Sequence, residues 1–206
     1  MTGQNFTGPT FTGPTFTGNN VILVLGGARS GKSRYAEQLA LSRPPPRLYV
    51  ATAAAHDAEM VERIREHKQR RGPAWTTLEA PLELAEVLRR HGPGPNGTLL
   101  VDCLTLWLAN LMEAGRDIDA ATKELVDTCG LGPNRSGTSG SDGGTVIFVA
   151  NEVGLGIVPN NALARAFRDH AGRLNQAMAA RADRVVFIAA GLALPLKGPP
   201  IGLEIS

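Results

Sequence analysis

Val21-Ile-Leu-Val-Leu-Gly-Gly-Ala-Arg-Ser-Gly-Lys-Ser33 is the stretch that decides the fold. Its first five residues are apolar and rich in strand formers, as expected of a strand buried on both faces. The strand runs into Gly26-x-x-x-x-Gly31-Lys32-Ser33, a complete phosphate-binding loop. Glycines let successive backbone N–H groups curl around phosphate oxygens that Cβ atoms would obstruct. Lys32 brings positive charge to the outer phosphates, and the Ser33 hydroxyl is placed for Mg²⁺. A helix is expected from Ser33 to about Leu41, so its positive N-terminal end also points at the anion. Strand before and helix after give the motif the context it needs, and a nucleoside triphosphate is the ligand expected.

Outward from this loop, strands and helices alternate. Arg43-Pro-Pro-Pro46 breaks the first helix, because proline cannot continue one. Arg47 to Thr52 reads as a second strand. Asp57 can cap a helix running to about Arg71, which Gly72-Pro73 stops. A helix is expected from Pro81 to Arg90, a strand over Thr98–Asp102, and helices over Leu104–Met112 and Asp117–Thr128. Val146–Ala150 and Arg184–Ala190 read as strands with a long helix between them. On that helix Leu163, Phe167, Ala171, Leu174 and Met178 share one face and are expected to be core. The pattern implies an α/β fold with a mostly parallel sheet covered by helices on both faces.

At 206 residues the chain suits a single domain, residues 21–206, with enough apolar content to build a core. Residues 1–20 repeat Phe-Thr-Gly-Pro-Thr and carry no Lys, Arg, Asp or Glu, so a disordered tail is expected rather than a signal peptide. Residues 130–144 have a linker's composition and read as a flexible insertion, since too little chain follows for a second core. A formal charge of +2 and 5% aromatics argue against nucleic acid as a partner. No apolar run is long enough to span a membrane. Cys103 and Cys129 match neither a zinc spacing nor a redox pair, and a reducing cytoplasm is the expected home.

Two residues outside the loop carry candidate chemistry. Asp102 closes an apolar strand, where a site of this kind needs an acidic residue near its metal; the alternative is an ordinary strand end. His67 shares a helical stripe with Met60 and Ile64, a position that more often holds a packed side chain than a catalyst. Arg63, Lys68, Arg70 and Arg71 crowd the same helix and suit a polyphosphate, and a neutral imidazole is a competent nucleophile near neutral pH. Composition and spacing leave both roles open.

Several segments, in order from residue 21 to Lys197, together resemble the bifunctional adenosylcobinamide kinase/adenosylcobinamide-phosphate guanylyltransferase family of cobalamin biosynthesis. They are the phosphate loop, Tyr49-Val-Ala-Thr52, Glu59-Met60 with Arg63-Ile64 and His67, Trp75 with Glu79, and Asp102-Cys-Leu-Thr-Leu-Trp-Leu-Ala-Asn-Leu111. Asn151-Glu-Val-Gly-Leu-Gly-Ile-Val-Pro159, Phe167-Arg-Asp169 with Gly172, Asn175-Gln176, Ala182-Asp183 and Ala190-Gly-Leu192 complete the set. The loop is shared by thousands of proteins; the Asn-Glu-Val-Gly-x-Gly-Ile-Val-Pro run is far more specific.

The resemblance implies a P-loop, RecA-like sheet with one antiparallel strand, and a homotrimer. It implies phosphorylation of adenosylcobinamide by ATP or GTP, then transfer of GMP from GTP to the new phosphate through a guanylylated His67. Lys32 would serve catalysis beside His67. Nucleotide contacts would fall on Gly26, Gly27, Ala28, Arg29, Ser30, Gly31, Lys32, Ser33, Ala51, Thr52, Ala53, Lys68, Gln69, Arg70, Arg71, Glu79 and Asp102, with Ser33 and Asp102 serving Mg²⁺. The Asn-Lys-x-Asp signature of small GTPases is absent, so guanine must be recognised otherwise. By analogy Asn151, Glu152 and Arg168 belong to a subunit-interface cleft; a capping or turn-stabilising hydrogen bond is the equal alternative for each. The rival readings are a plain kinase with no use for His67, a RecA-like ATPase acting on nucleic acid, and a nucleotide-binding regulator.

Overall fold

A computed structural model describes residues 20–53, 74–94, 96–129 and 144–201. Strand β1 (Asn20–Gly26) lies at the heart of the sheet, and all seven of its residues are buried. Its side chains alternate between two cores, as the two-residue period of a strand requires. Val21, Leu23 and Leu25 face one, and Ile22 and Val24 the other. The remaining strands are β2 (Arg47–Ala51), β3 (Thr76–Glu79), β4 (Thr98–Asp102), β5 (Thr145–Asn151), β6 (Arg184–Ala189) and β7 (Leu192–Lys197). They pair in the order β3-β2-β4-β5-β1-β6-β7, parallel throughout except for β7 against β6.

Helix α1 (Lys32–Leu41) covers the face of Ile22 and Val24 with Tyr35, Ala36, Leu39 and Ala40. The opposite face is covered by α2 (Leu84–His91), α3 (Leu104–Glu113), α4 (Ile118–Thr128) and α5 (Ala162–Arg181). Two of these start on side-chain caps: Asp117 accepts from the Ala120 N–H at 2.9 Å, and Asn161 from that of Ala164 at 3.1 Å. The mostly parallel sheet with helices on both faces, with the strand that feeds the phosphate loop in its interior, is the P-loop, RecA-like α/β class expected from the sequence.

The structure departs from the sequence reading in four places. The first strand begins at Asn20, whose N–H donates to the Gly144 carbonyl at 2.9 Å, one residue earlier than its apolar run. Strand β3 was not expected as a strand: Thr-Thr-Leu-Glu is short, polar and half exposed, and it forms by pairing with β2 at the sheet's edge. Strand β6 ends at Ala189 because Ala190 and Gly191, at φ 51° and 80°, form the two-residue turn into β7. The apolar stripe on α5 is only partly core. Ala171, Leu174 and Met178 are buried and Phe167 half-buried, but Leu163 is 68% exposed. A 20-residue helix is about 30 Å long and outruns the sheet it covers. The expected helix over 57–71, the tail up to residue 19 and the insertion through residue 143 lie outside the described residues.

Candidate active site

In a parallel sheet, ligands are met beyond the carboxyl ends of the strands, where adjacent connections diverge. Here that edge collects the end of β1, the end of β4 with Asp102, and the ends of β2 and β3. Asp102 sits level with Ala51, and Ala51 level with Glu79. Thus Gly26–Ser33, Ala51–Ala53, Glu79 and Asp102, far apart in sequence, share one rim. His67, Lys68, Gln69, Arg70 and Arg71 lie outside the described residues.

The loop's shape follows from its glycines. A Cβ on Gly26 would lie 2.5 Å from Ser30 Oγ and 2.6 Å from the Ile188 carbonyl oxygen, so only glycine fits. Gly31, at φ 95°, turns the chain into α1 in a conformation that L side chains rarely adopt. The β6–β7 turn supports the loop from behind: the Gly191 N–H donates to the Ser30 carbonyl at 2.9 Å, and its Cα lies 3.6 Å from where a Gly31 Cβ would stand. Lys32 is buried, and its Nζ donates to the Gly27 carbonyl at 3.1 Å, which holds the ammonium against the loop.

Ser33 Oγ donates toward Asp102 Oδ1 at 3.5 Å, and the Tyr49 hydroxyl donates to Asp102 Oδ2 at 3.0 Å. A serine hydroxyl and a carboxylate at this separation are hard oxygen donors of the kind Mg²⁺ takes, with room for phosphate oxygens and water to complete its shell. Tyr49 is itself fixed by Trp75, ring edge to ring face, with centroids 5.9 Å apart.

Thr52 is fully buried and its side chain turns inward. Its hydroxyl donates to the Cys103 carbonyl at 2.7 Å and accepts from the Cys103 N–H at 2.8 Å. The hydroxyl of Thr52, a residue expected among the nucleotide contacts, thus fastens the end of β2 to the residue after Asp102. Asn110, on α3, donates to the Thr52 carbonyl at 2.7 Å and the Pro81 carbonyl at 3.0 Å. The sequence reading gave no role to Tyr49 or Asn110. The available signal was an amide within the apolar run Leu104–Leu111, since buried polar groups in such a run need partners.

Asn151 ends β5 level with Gly26. Its N–H donates to Thr105 Oγ1 at 2.7 Å, and its carbonyl accepts from Asn175 Nδ2 at 3.1 Å. The Glu152 N–H donates to the Gly26 carbonyl at 3.1 Å, while its carboxylate accepts from Gly154 at 2.7 Å, a turn-stabilising bond. Arg168 pairs with Asp169 at 3.0 Å and borders an open groove of about 700 Å³ between α3 and α5, lined by Met112, Val153 and Phe167 among others. Burial, with Asp102 adding to it, pushes the Cys103 thiol up to about 11, and burial pushes Cys129 up to about 12. Both are free, buried thiols. No helix among the described residues is long and apolar enough to cross a membrane.

Comparison with known proteins gives the family. A family model described as cobinamide kinase/cobinamide phosphate guanyltransferase matches residues 22–196. The bifunctional adenosylcobalamin biosynthesis protein CobP of Pseudomonas aeruginosa is 48% identical over 181 residues, spanning 87% of this chain and 98% of that protein. The corresponding protein CobU of Salmonella typhimurium is 39% identical, spanning 86% and 99%. A structural-project protein from Pyrococcus horikoshii shares the fold at a TM-score of 0.52 and 11% identity, over 90% of each chain. The phosphate loop, the Asp102 strand end and the Asn151-Glu152 turn all fall inside the matched span, and the chain belongs to the cobinamide kinase/cobinamide phosphate guanyltransferase family.

Proposed function

We propose that this protein phosphorylates adenosylcobinamide with ATP or GTP and then transfers GMP from GTP to adenosylcobinamide phosphate, releasing pyrophosphate and adenosylcobinamide-GDP. The observation that carries the reading is the convergence of Lys32, Ser33 and Asp102 on one rim with the ends of β2 and β3. In the first half, the loop's N–H groups and Lys32 hold the outer phosphates while the corrinoid hydroxyl attacks the γ-phosphorus in line; the new O–P bond forms as the bond to the nucleoside diphosphate breaks, and the hydroxyl proton passes to solvent. Ser33 and Asp102 would hold Mg²⁺, which when bound neutralises charge spreading over the phosphate oxygens.

In the second half, the imidazole of His67 attacks the α-phosphorus of GTP; an N–P bond forms and the bond to pyrophosphate breaks. An oxygen of adenosylcobinamide phosphate then attacks the same phosphorus, and the N–P bond breaks to return the imidazole. Lys68, Gln69, Arg70, Arg71, Ala51, Ala53 and Glu79 line the nucleotide in this reading, with Thr52 buried behind them, and the protein is taken as a cytoplasmic homotrimer.

The test is incubation with α-³²P-GTP and Mg²⁺ followed by denaturing electrophoresis, for the native protein and His67→Ala. Acid-labile, alkali-stable label on the native protein and none on the variant is the expected result. Label on both would move the nucleophile to another residue. Label on neither, with GTP bound, would leave a plain kinase or a regulator.

A further inference from the structure

We propose that Asn151 is a further catalytic residue, whose carboxamide touches the terminal phosphate of the bound nucleotide and the hydroxyl that attacks it; the inference rests on the reading that phosphoryl transfer takes place at the Gly26–Ser33 loop. Its place follows from the strand period. Along β5, Val146, Phe148 and Ala150 face the core under α2–α5, while Ile147 and Val149 face the core under α1. Asn151 continues the second series and so falls on the α1 face. Asp102 falls there too, two residues after Leu100, and its carboxylate meets Tyr49 and Ser33. On β1 the same face is reached at Gly26, where a Cβ would stand 2.5 Å from Ser30 Oγ. Asp102 is level with Val149, and Gly26 with Asn151. Asn151 thus ends the strand that lies between the Asp102 strand and the loop strand, on their shared face. It stands two residues, or about 7 Å, nearer the rim than Asp102.

The backbone of Asn151 is held from both sides. Its N–H donates to Thr105 Oγ1 at 2.7 Å, and its carbonyl accepts at 3.1 Å from Nδ2 of Asn175, a buried amide. The turn-stabilising role open to Asn151 from the sequence is filled by its neighbour, since the Glu152 carboxylate accepts from the Gly154 N–H. The Asn151 side chain serves none of these bonds. Its Oδ1 is shielded from solvent and meets no donor among the described residues. A buried acceptor without a donor is costly, and a substrate that brings its own hydroxyl relieves that cost. A carboxamide offers an acceptor and two donors in one plane. Here Oδ1 accepts from the attacking hydroxyl, and Nδ2 donates to an oxygen of the γ-phosphate. The bond from the hydroxyl oxygen to phosphorus forms as the bond to the nucleoside diphosphate breaks, and the proton passes to solvent. An amide is no base, so Asn151 aligns the nucleophile and steadies the phosphoryl group in flight.

The experiment compares the full-length native protein with Asn151→Ala and Asn151→Asp. Three quantities are measured: melting temperature, kcat for phosphorylation of adenosylcobinamide, and calorimetric affinity for the α,β-methylene analogues of GTP and GDP, which resist attack at the α-phosphorus. Alanine keeps both backbone bonds and removes an orphaned oxygen, so its melting temperature should match or exceed the native value. Its kcat should fall about a hundredfold. Aspartate sets a carboxylate against the γ-phosphate; affinity for the triphosphate analogue should fall about tenfold or more, with that for the diphosphate within about threefold. Equal losses for the two analogues, or none, would place Asn151 away from the γ-phosphate and overturn the proposal. A lowered melting temperature in the alanine variant would assign Asn151 to stability and overturn it as well. A native protein that binds the triphosphate but transfers no phosphate would sink the proposed function and this inference together. An active native protein beside an equally active alanine variant would sink this inference alone.

Discussion

Replacing Thr52 by valine tests how the end of β2 is fastened to the Asp102 strand. Valine matches threonine in shape, so the change removes a hydroxyl and little else. That hydroxyl makes two buried bonds, 2.7 Å to the Cys103 carbonyl and 2.8 Å from its N–H; its loss orphans the N–H, while the carbonyl keeps its bond from the Trp107 N–H at 3.2 Å. An unpartnered buried backbone group costs about 1–3 kcal/mol, reduced somewhat by valine's easier burial. At about 2–4 °C per kcal/mol for a chain of this size, a drop of about 4–8 °C in melting temperature corresponds to the middle of that range. Thr52→Ser keeps the hydroxyl and deletes one methyl, worth about 1 kcal/mol. Differential scanning calorimetry of the two variants should therefore place serine close to the native protein and valine well below it. Titration with Mg²⁺-GTP should follow the same order, because Cys103 is bonded directly to Asp102. A valine variant as stable as the serine variant, with unchanged nucleotide affinity, would refute the reasoning.

Two further outcomes are expected. Asp102→Asn keeps an acceptor for Tyr49 but removes the charge that faces Ser33; the melting temperature should stay within a few degrees while affinity for Mg²⁺-GTP by calorimetry falls about 10- to 100-fold, and unchanged affinity would deny Asp102 a metal role. The buried thiols predict a loss of stability in alkali: their folded pKa values, about 11 for Cys103 and about 12 for Cys129, exceed the ordinary 9.0, so the unfolded chain gives up protons first as pH rises. The stabilisation is whole below about pH 9 and is lost on the way to pH 11–12, at about 2 kcal/mol per thiol by pH 10.5; denaturant melts of the native protein should show this slope, and those of a Cys103→Ala/Cys129→Ala double variant should be flatter.

How far the site could be read from the chain depends on the range of the interactions involved. The phosphate loop is a local motif, and its geometry follows from Gly26, Gly31 and the flanking strand and helix. Asp102 was legible for a similar reason, standing at the end of a short apolar run. Strand β3 was not, because Thr-Thr-Leu-Glu becomes a strand only through its neighbour β2. Strand β7 contains Pro195, which an edge strand tolerates where the ladder shifts register, and it came into view only through the family resemblance. Leu163 carried the right period yet lies beyond the sheet, a length effect that periodicity does not encode. The inward turn of Thr52 and the two hydrogen bonds of Asn110 join residues between 29 and 58 positions apart in sequence. Pairings of that range become visible only when strand order is known.

The position of β1 has a consequence for how the molecule is made. The first strand of the described chain lies between β5 and β6, whose first residues are Thr145 and Arg184. A ribosome must therefore deliver most of the chain before the central strand can gain either neighbour, and the brace at Gly191 comes later still. Contacts of such long sequence separation slow folding, because loop closure precedes any gain. Nascent chains that end before the β6–β7 turn would carry the nucleotide-binding motif intact and lack the scaffold that shapes it. Competence to hold a nucleotide is thus gained late in synthesis, although its sequence signature is translated near the start.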